Sequence, residues 1–281
     1  MSYTLIATDQ ALVDLRKSFQ ARNIQTIAMD FEGEFNLHCY GEHLCLIQIF
    51  DGTNSYIVDP LKISPVELKN TLESEALVKL FYGAASDYAL VFKKYQIRMA
   101  RVVDLQCHVD VLNLPGKGLD SVLQVILSIP PANKKKFQMH NWMHRPINPE
   151  ALVYALGDVI HLFTLRDALQ ARVEEAGLLE ELSARQKAVF PEFNYDPTPR
   201  IYKTPEFRDL NKRAQEILKA LFEWRDATSQ GLNCSPENLL RKSLLFTLAR
   251  NPDSVKSLRP QNELNPRLFL ELQSVLTKIK I

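Results

Sequence analysis

The sequence has few cysteines and no long apolar run. Its four cysteines stand at positions 39, 45, 107 and 234 of 281 residues, without a Cys-x-x-Cys pair. This spacing argues against a zinc site and favours free thiols in a reducing cytosol. No run of about 18 apolar residues occurs, and no basic segment precedes an apolar one near residue 1. We therefore expect a cytoplasmic protein without a membrane span or a secretion signal.

Internal repeats and low-complexity tracts are also missing, and 46% hydrophobic content can fill the core of an ordinary globular protein. Charge differs between the two ends of the chain. Residues 1–197 hold 19 Lys and Arg against 24 Asp and Glu, whereas residues 198–281 hold 15 against 9. The net charges of −5 and +6 fit a metal-dependent enzyme with a basic tail that holds a polyanion. They equally fit ordinary scatter of surface charge.

The apolar stretch Ile27–Glu34 ends abruptly in carboxylates. Side chains alternate faces along a strand, so Asp30 and Glu32 project from the same side of a sheet where its buried part ends. Two adjacent carboxylates repel each other. A raised pKa or a bound cation relieves the repulsion, and oxygen ligands favour Mg²⁺ or Mn²⁺. The simpler alternative is a strand that runs out into an acidic loop.

Strand and helix patterns alternate over the first half of the chain. Strand patterns at residues 3–8, 27–34, 43–50 and 55–60 predict an antiparallel meander. A helix from Pro65, a strand at 77–82 and a helix at 86–95 then predict the βα alternation of a mixed α/β sheet covered by helices. Residues 104–128 have the pattern of two helices joined by a loop.

Two further acidic residues lie at predicted helix positions. Asp87 falls in the first turn of the helix after the 77–82 strand, where a negative charge also favours the helix dipole. Asp158 lies on a long helix predicted from residue 149 to about 187, and Tyr154 precedes it by one turn on the same face. The apolar surroundings of Asp158 call for a hydrogen bond to backbone or for a metal shared with the strand carboxylates.

A basic and aromatic loop precedes this helix. Cations beside an aromatic ring can contact phosphates and stack on bases, although a run of lysines is also typical of a solvated turn. We predict nucleic-acid contacts at five positions, which are Lys134, Lys135, Lys136, Trp142 and Arg145.

A proline-rich stretch separates the two ends of the chain. Three prolines lie within the nine residues from Pro191 to Pro199, which predicts a linker over 191–204. Beyond it the pattern is helical only, with helices predicted at 205–230, from 235, at 242–249 and at 266–281. We therefore predict a large domain at 1–190 and a small helical domain at 205–281.

The order of these acidic residues resembles the catalytic set of the DEDD exonucleases that carry a tyrosine in their third motif, and in particular the ribonuclease D family. The three motifs here are Asp30-Phe31-Glu32, Tyr82-Gly83-Ala84-Ala85-Ser86-Asp87 and Tyr154-Ala155-Leu156-Gly157-Asp158-Val159. Flanking matches lie at 46–52, at 114–119 and in Trp142-x-x-Arg145-Pro146. The resemblance covers about residues 1–175. A weaker one over 205–281 is to the small HRDC domain shared by helicases and ribonuclease D.

The resemblance implies a fold and a catalytic site. The fold is a ribonuclease H-like mixed sheet flanked by helices, followed by a small all-α, HRDC-like domain that binds nucleic acid. The site holds two divalent ions, Mg²⁺ or Mn²⁺, with Asp30 bridging both, Glu32 and Asp158 completing one position, and Asp87 supporting the other through water. Tyr154 would then hydrogen-bond the attacking water. Its alternative role is a core ring with the hydroxyl at the surface.

The chain departs from the family pattern at positions that are not metal ligands. The family commonly has His at the position of Tyr82, and often acidic residues at those of Asn133 and Asn141. These departures bear on substrate preference rather than on activity. Glu34 could compete with Glu32, but it lies beyond the Asp-x-Glu spacing.

The function that we expect from the resemblance is metal-dependent removal of nucleotides from RNA 3′ ends by a monomeric enzyme, with transfer-RNA precursors or other structured RNA as substrate. A DNA 3′ exonuclease is one alternative. Another is an inactive exonuclease fold that serves as an RNA-binding scaffold, and the complete set of four acids and a tyrosine argues against it.

Overall fold

The computed structural model of the chain describes residues 2–131, 137, 139–189, 196–260 and 263–278. These residues form two compact units. The first unit contains the described residues of 1–33 and 43–193, and the second contains 34–42 together with those of 194–281. A short segment from the early part of the chain, Glu34–Glu42, is therefore part of the C-terminal unit.

A mixed sheet of six strands in the order β1-β4-β3-β2-β5-β6 organises the N-terminal part of the chain. The strands are β1 (Thr4–Ile6), β2 (Thr26–Phe35), β3 (Glu42–Phe50), β4 (Ser55–Val58), β5 (Val78–Phe81) and β6 (Val102–Asp104). β3 and β4 pair antiparallel, whereas β1 with β4, β2 with β5 and β5 with β6 pair in parallel. The predicted mixed sheet is confirmed. The meander does not include β1, because the following helix carries the chain across the sheet and leaves β1 at its edge.

Eight α-helices and a 3-10 turn at Pro60–Lys62 belong to the described part of the first unit. The helices are α1 (Asp9–Ala21), α2 (Pro65–Leu72), α3 (Ala85–Tyr95), α4 (Leu105–Val111), α5 (Leu119–Leu127), α6 (Pro149–Gly157), α7 (Leu162–Glu175) and α8 (Leu179–Ala188). The Thr8 hydroxyl caps α1 by accepting the Ala11 N–H at 3.2 Å. Asn148 caps α6 by accepting the Glu150 N–H at 2.8 Å.

The single helix predicted from residue 149 to about 187 is wrong, because three helices fill this range. After α6 the Asp158 N–H donates to Ala155 O and the Leu162 N–H to Val159 O, each at 3.2 Å. These bonds span three residues instead of four, so the chain tightens and the helix ends. Gly177, with φ of +70°, turns the chain between α7 and α8.

The sheet separates two apolar layers. Ile27 and Met29 of β2 are buried in the layer that also contains Phe19 of α1. Ala28, between them, is buried in the layer that contains Leu156 of α6. Successive residues of β2 thus face opposite layers, as the alternation of a strand requires.

The second unit is helical and has its own apolar core. Its helices are α9 (Pro205–Arg208), α10 (Lys212–Leu232), α11 (Pro236–Leu239), α12 (Lys242–Arg250) and α13 (Pro266–Lys278), with 3-10 segments at Arg200–Lys203 and Pro252–Ser257. Its core includes Leu218, Phe246 and Leu272. The helix predicted at 205–230 is divided in two, because Asn211 accepts the Ala214 N–H at 2.9 Å and starts α10 anew.

Segment Glu34–Glu42 is held inside the second unit by two hydrogen bonds. The Tyr40 hydroxyl donates to Asp226 at 2.9 Å, and the Ser235 hydroxyl donates to the Asn36 carbonyl at 2.6 Å. Ile201, inside the predicted linker, is buried in the core of the same unit. Residues 190–195 lie outside the described part of the chain, so the predicted domain boundaries stay a prediction. Among the helices that the structure describes, none combines the length and the apolarity needed to cross a bilayer.

Candidate metal centre

Strand β2 presents Asp30 and Glu32 on one face of the sheet. Ala28 points to the same side of the strand and is fully buried in the layer that contains α6. The two carboxylates therefore face that layer as well. Both side chains are half-buried. They therefore stand where the apolar layer ends and water begins.

Asp158 joins these two carboxylates. It directly follows the last residue of α6 and closes that helix through its backbone N–H. One carboxylate oxygen from each of Asp30, Glu32 and Asp158 lies within 4.8 Å of the others. We refer to these three residues as the carboxylate cluster.

Asp87 lies in the first turn of α3. Its carboxyl group interacts with other negatively charged side chains. Burial raises the pKa of its carboxyl group well above the ordinary value, and the charges of Asp30 and Asp104 raise that pKa further. Both causes disfavour the charged form of the Asp87 carboxyl group. A cation bound beside Asp87 and Asp30 would favour the charged form again.

The carboxylate cluster has the donor set of a hard divalent cation. Oxygens bound to one Mg²⁺ at about 2.1 Å lie at most about 4.2 Å apart. The oxygens of the carboxylate cluster lie within 4.8 Å of one another, so they need at most a small closure to bind one ion. Carboxylate ligands without Cys or His favour Mg²⁺ or Mn²⁺ over zinc. The residues present fit a divalent cation of this class.

Tyr154 lies on α6, one turn before Asp158. Its ring is half-buried and packs against Phe137, with 5.3 Å between ring centroids and 31° between ring planes. This packing holds the ring against the apolar layer. The role of its hydroxyl toward an attacking water stays a prediction.

Gln48 of β3 is a residue of the site to which the sequence pattern gave no role. Its side chain is completely buried, and its Nε2 donates to Glu32 Oε1 at 3.5 Å. A long contact of this kind restrains the carboxylate without neutralising it. The signals in the sequence are the flanking match at 46–52 and a polar residue in the middle of the apolar strand His43–Phe50.

Glu34, which could compete with Glu32 as the acidic residue of the first motif, has a different role. Its side chain is only 2% exposed in the second unit. It accepts the backbone N–H groups of Leu37 and His38, and it contacts the His38 ring at 2.9 Å. With its oxygens used inside segment Glu34–Glu42, Glu34 shapes a loop.

The residues of the predicted nucleic-acid loop are engaged elsewhere or lie outside the described part. Arg145 makes a two-pronged ion pair with Asp59 at 2.7 and 3.0 Å and also donates to the carbonyls of Trp142 and Cys45. Trp142 is only 4% exposed, within the apolar layer. These contacts favour packing roles over stacking on bases, and the predicted binding role stays a prediction. Lys134, Lys135 and Lys136 are not among the described residues.

Comparison with known proteins identifies relatives of the chain. Residues 3–174 match a protein family described as 3′-5′ exonuclease. Exosome complex component 10 of Mus musculus is 27% identical over 261 residues, which make up 87% of this chain and 28% of that protein. Ribonuclease D of Gluconacetobacter diazotrophicus is 26% identical over 260 residues, which make up 90% of this chain and 65% of that protein. The chain thus spans less than two thirds of the length of these relatives.

A solved structure shows the same architecture. The structure of Escherichia coli RNase D, titled an exoribonuclease involved in structured RNA processing, matches 100% of this chain and 76% of its own with a TM-score of 0.71 at 23% identity. This likeness confirms the expected ribonuclease H-like fold. Since the family match covers more than half of the sequence and includes the carboxylate cluster, the chain belongs to the 3′-5′ exonuclease family.

Proposed function

We propose that this chain is a metal-dependent 3′→5′ exoribonuclease. The observation that carries the proposal is the carboxylate cluster, with Tyr154 one helical turn from Asp158, in a chain of the 3′-5′ exonuclease family. RNA is favoured over DNA because the curated relatives include ribonuclease D and an exosome component.

The proposed metal site holds two ions, Mg²⁺ or Mn²⁺. Asp30, Glu32 and Asp158 would hold one ion, and Asp30 together with Asp87 would hold the other. When bound, such ions neutralise the charge that develops on the phosphate and lower the pKa of the attacking water. The assignment of Asp87 agrees with its raised pKa, because burial and the charge of Asp30 both disfavour its charged form and a nearby cation would favour it.

The protein's own part in the reaction is to hold and orient groups. Tyr154 aims the attacking water through its hydroxyl, and the packing of its ring against Phe137 limits the directions in which that hydroxyl points. Gln48 restrains Glu32 from the neighbouring strand. The carboxylates are carried by a strand and by helix ends. The fold therefore keeps them within reach of one another without a rearrangement during the reaction.

The proposed substrate is structured RNA, such as transfer-RNA precursors. The net charge of +6 over residues 198–281 supports a role of the second unit in holding a polyanion, which is the role expected of an HRDC-like domain. We also propose that the enzyme is monomeric and works in the cytoplasm. The latter agrees with its four free cysteines, three of which are buried.

The test is a degradation assay with RNA and DNA oligonucleotides of one sequence, labelled at the 5′ end. A 3′→5′ exonuclease gives a ladder that shortens from the 3′ end, requires Mg²⁺ or Mn²⁺, and stops with EDTA. A 2′-hydroxyl at the terminal nucleotide can be read directly, so we expect faster turnover of RNA.

Two variants control this assay. Asp30→Asn removes a charge from the carboxylate cluster and should abolish the ladder. Asp167→Asn changes an Asp of α7 whose side chain is 67% exposed, and it should cut at the wild-type rate. Faster turnover of DNA would establish a DNA exonuclease instead. Binding of RNA without any cleavage by the wild type would establish an inactive scaffold.

A further inference from the structure

The turn that leads from β5 into α3 has no cap of its own. Its N-cap position is Ala84, whose side chain cannot accept a hydrogen bond, and Gly83 before it has φ of +80°. Helix starts leave several N–H groups without partners inside the helix, and a Ser, Thr, Asp or Asn normally satisfies one of them. Asp87 stands in the first turn of this helix, so the geometry of the turn determines where its carboxylate lies.

A carboxylate from the neighbouring strand supplies the missing acceptors. Asp104 Oδ1 accepts the Gly83 N–H at 2.8 Å, and Asp104 Oδ2 accepts the Ala84 N–H at 2.9 Å. β5 and β6 pair so that Phe81 lies opposite Asp104. The two oxygens of the Asp104 side chain thus accept hydrogen bonds from two consecutive backbone N–H groups. Charge-assisted bonds of this length are among the stronger ones in proteins.

Asp104 is itself fixed from two sides. Its Oδ1 also accepts the Gln106 N–H at 2.9 Å and thereby caps α4. Gln186 of α8 accepts the Asp104 N–H at 3.0 Å and donates to the Asp104 carbonyl at 2.8 Å. The Asp104 side chain is only 3% exposed. The Asp104 side chain that holds the turn is therefore itself held in place by hydrogen bonds.

The negative charge of Asp104 disfavours the charged form of Asp87, and the hydrogen bonds of the turn explain why a carboxylate is nevertheless present. Asp104 adds a second negative charge near Asp87, which already faces Asp30, so a neutral residue would remove repulsion. Asparagine, however, has only one acceptor oxygen. The three N–H groups of Gly83, Ala84 and Gln106 share the two oxygens of Asp104, and in asparagine one of these oxygens would be an NH₂ donor that faces an N–H donor.

We propose that Asp104 is a positioning residue that fixes the Gly83–Ala84 turn and thereby sets the place of Asp87 beside the carboxylate cluster. The proposal rests on the proposed metal-dependent function. It predicts that Asp104 influences metal binding without touching the metal or the RNA. Residues that orient ligands from behind typically change metal affinity or activity by about 10- to 100-fold when they are replaced.

The test uses Asp104→Asn in the full chain. Mn²⁺ binding is measured by calorimetry without RNA, and hydrogen exchange reports on the amides of Gly83 and Ala84. We expect the Kd for Mn²⁺ to rise by about 10-fold and the protection of the two amides to fall. In steady-state assays kcat should fall, with KM for RNA within about twofold of the wild type, because the substrate does not contact Asp104.

The matched control is Asp51→Asn. Asp51 is also buried, and its Oδ1 accepts two consecutive N–H groups, those of Thr53 and Asn54 at 2.9 and 2.7 Å, in the turn between β3 and β4. Its Oδ2 accepts from Arg22 and Tyr56. It should lose stability and keep wild-type Mn²⁺ binding. Gln186→Met is a milder variant that loosens only the Asp104 backbone, and it replaces Asp104→Asn if that variant does not fold. A smaller rise in Kd is expected for it.

Two failures can be told apart. If the wild type neither binds Mn²⁺ nor degrades RNA, the proposed function is wrong, and the positioning proposal that rests on it is wrong too. If the wild type does both and Asp104→Asn has the wild-type Kd and kcat, or matches Asp51→Asn in every readout, Asp104 is only a structural residue. Wild-type metal binding by Gln186→Met, when it is the replacement, has the same meaning.

Discussion

At the scale of single residues, a variant of Tyr154 can distinguish orientation of the attacking water from metal binding. Tyr154→Phe keeps the ring contact with Phe137 and removes only the hydroxyl. We expect kcat to fall by roughly 100-fold, the usual effect of losing one positioning hydrogen bond, with little change in Mn²⁺ affinity. Single-turnover kinetics and calorimetry measure the two quantities separately.

Tyr202→Phe is the control for this experiment. The Tyr202 hydroxyl is buried in the second unit without a hydrogen-bond partner among the described residues, so its removal should leave kcat and stability close to those of the wild type. Loss of Mn²⁺ binding in Tyr154→Phe would mean that the hydroxyl belongs to the metal site and not to the water.

Lys79 gives a prediction about stability and pH. This lysine of β5 is completely buried and donates to the carbonyls of Ser74, Leu77 and Ala100. Burial lowers its pKa from 10.5 to about 8. Between these values the unfolded chain binds more protons than the folded one, so the free energy of unfolding should rise with pH. The gain is on the order of 3 kcal/mol over the whole window.

Urea denaturation of the wild type and of Lys79→Met between pH 7.5 and 9.5 measures this effect. The variant has no ionisable group at this position, so its free energy of unfolding should depend less steeply on pH. Lys69→Met, at an exposed lysine of α2, should retain the wild-type slope. Parallel slopes for the wild type and Lys79→Met would show that the pKa of Lys79 is not lowered.

The residues that the sequence identified are those that occur in spaced groups. Asp30 with Glu32, and Tyr154 with Asp158, attract attention because their spacing has a geometric meaning in a strand or a helix. Asp104 stands alone in the sequence, and Gln48 lies in the flanking match at 46–52 without a spaced partner of its own. A single Asp before an amphipathic stretch is indistinguishable from a helix cap, and its bonds to Gly83 and its neighbour depend on strand pairing, which no local pattern contains.

At the scale of elements, the turn between β5 and α3 depends on Gly83. Its φ of +80° is costly for any residue with a Cβ, and an added Cβ would lie 3.1 Å from Gln106 Oε1. Gly83→Ala should therefore lower the free energy of unfolding by about 1–2 kcal/mol. Gly157 of α6 has nothing within 4 Å of an added Cβ. Gly157→Ala should be neutral or stabilising by up to about 1 kcal/mol.

Chemical denaturation of both variants provides the comparison. Equal stability of the two variants would contradict the account of the turn, since of these two glycines Gly83 alone combines a positive φ with a close neighbour. A larger loss than expected in Gly83→Ala would point to the hydrogen bond from its N–H to Asp104, which a shifted backbone would break as well.

The ends of the helices and strands could not be predicted from the periodicity of apolar residues. Apolar residues continue at helical spacing from α6 through α8, because α6 and α7 cover one side of the sheet and α8 packs against α7 and α4. The breaks depend on local hydrogen bonds, such as the one from Asp158 to Ala155, that leave no mark in the apolar pattern. β6 was missed for a related reason, since three residues are too few for a period of two to be recognised.

At the scale of the whole molecule, the charge of the second unit should appear in the salt dependence of RNA binding. Deleting the unit is a poor test, because segment Glu34–Glu42 would lose its partners as well. Neutralising exposed cations avoids this. We expect that replacing three of them by Gln lowers the log–log slope of binding against salt by up to about 2 units, since each single-strand phosphate that a cation neutralises adds about 0.7 to the slope. The three are Arg241, Lys242 and Arg259.

Binding is measured with Asp30→Asn as the background, so that the RNA stays intact. The control neutralises three exposed lysines of the first unit and should keep the original slope; they are Lys17, Lys62 and Lys69. If both triple variants give the slope of the background, the positive charge of the second unit is ordinary solvated surface and the unit serves another purpose.

The discontinuous second unit has a consequence for the timing of synthesis. Segment Glu34–Glu42 leaves the ribosome early, whereas its partners Asp226 and Ser235 follow roughly 190 residues later. At about 5–20 residues per second this interval lasts on the order of 10–40 s. For that time the nascent chain can complete most of its sheet, yet the loop next to two of the proposed ligands has no partner. The synthesis of α10 and of Ser235 thus determines when segment Glu34–Glu42 reaches its final surroundings.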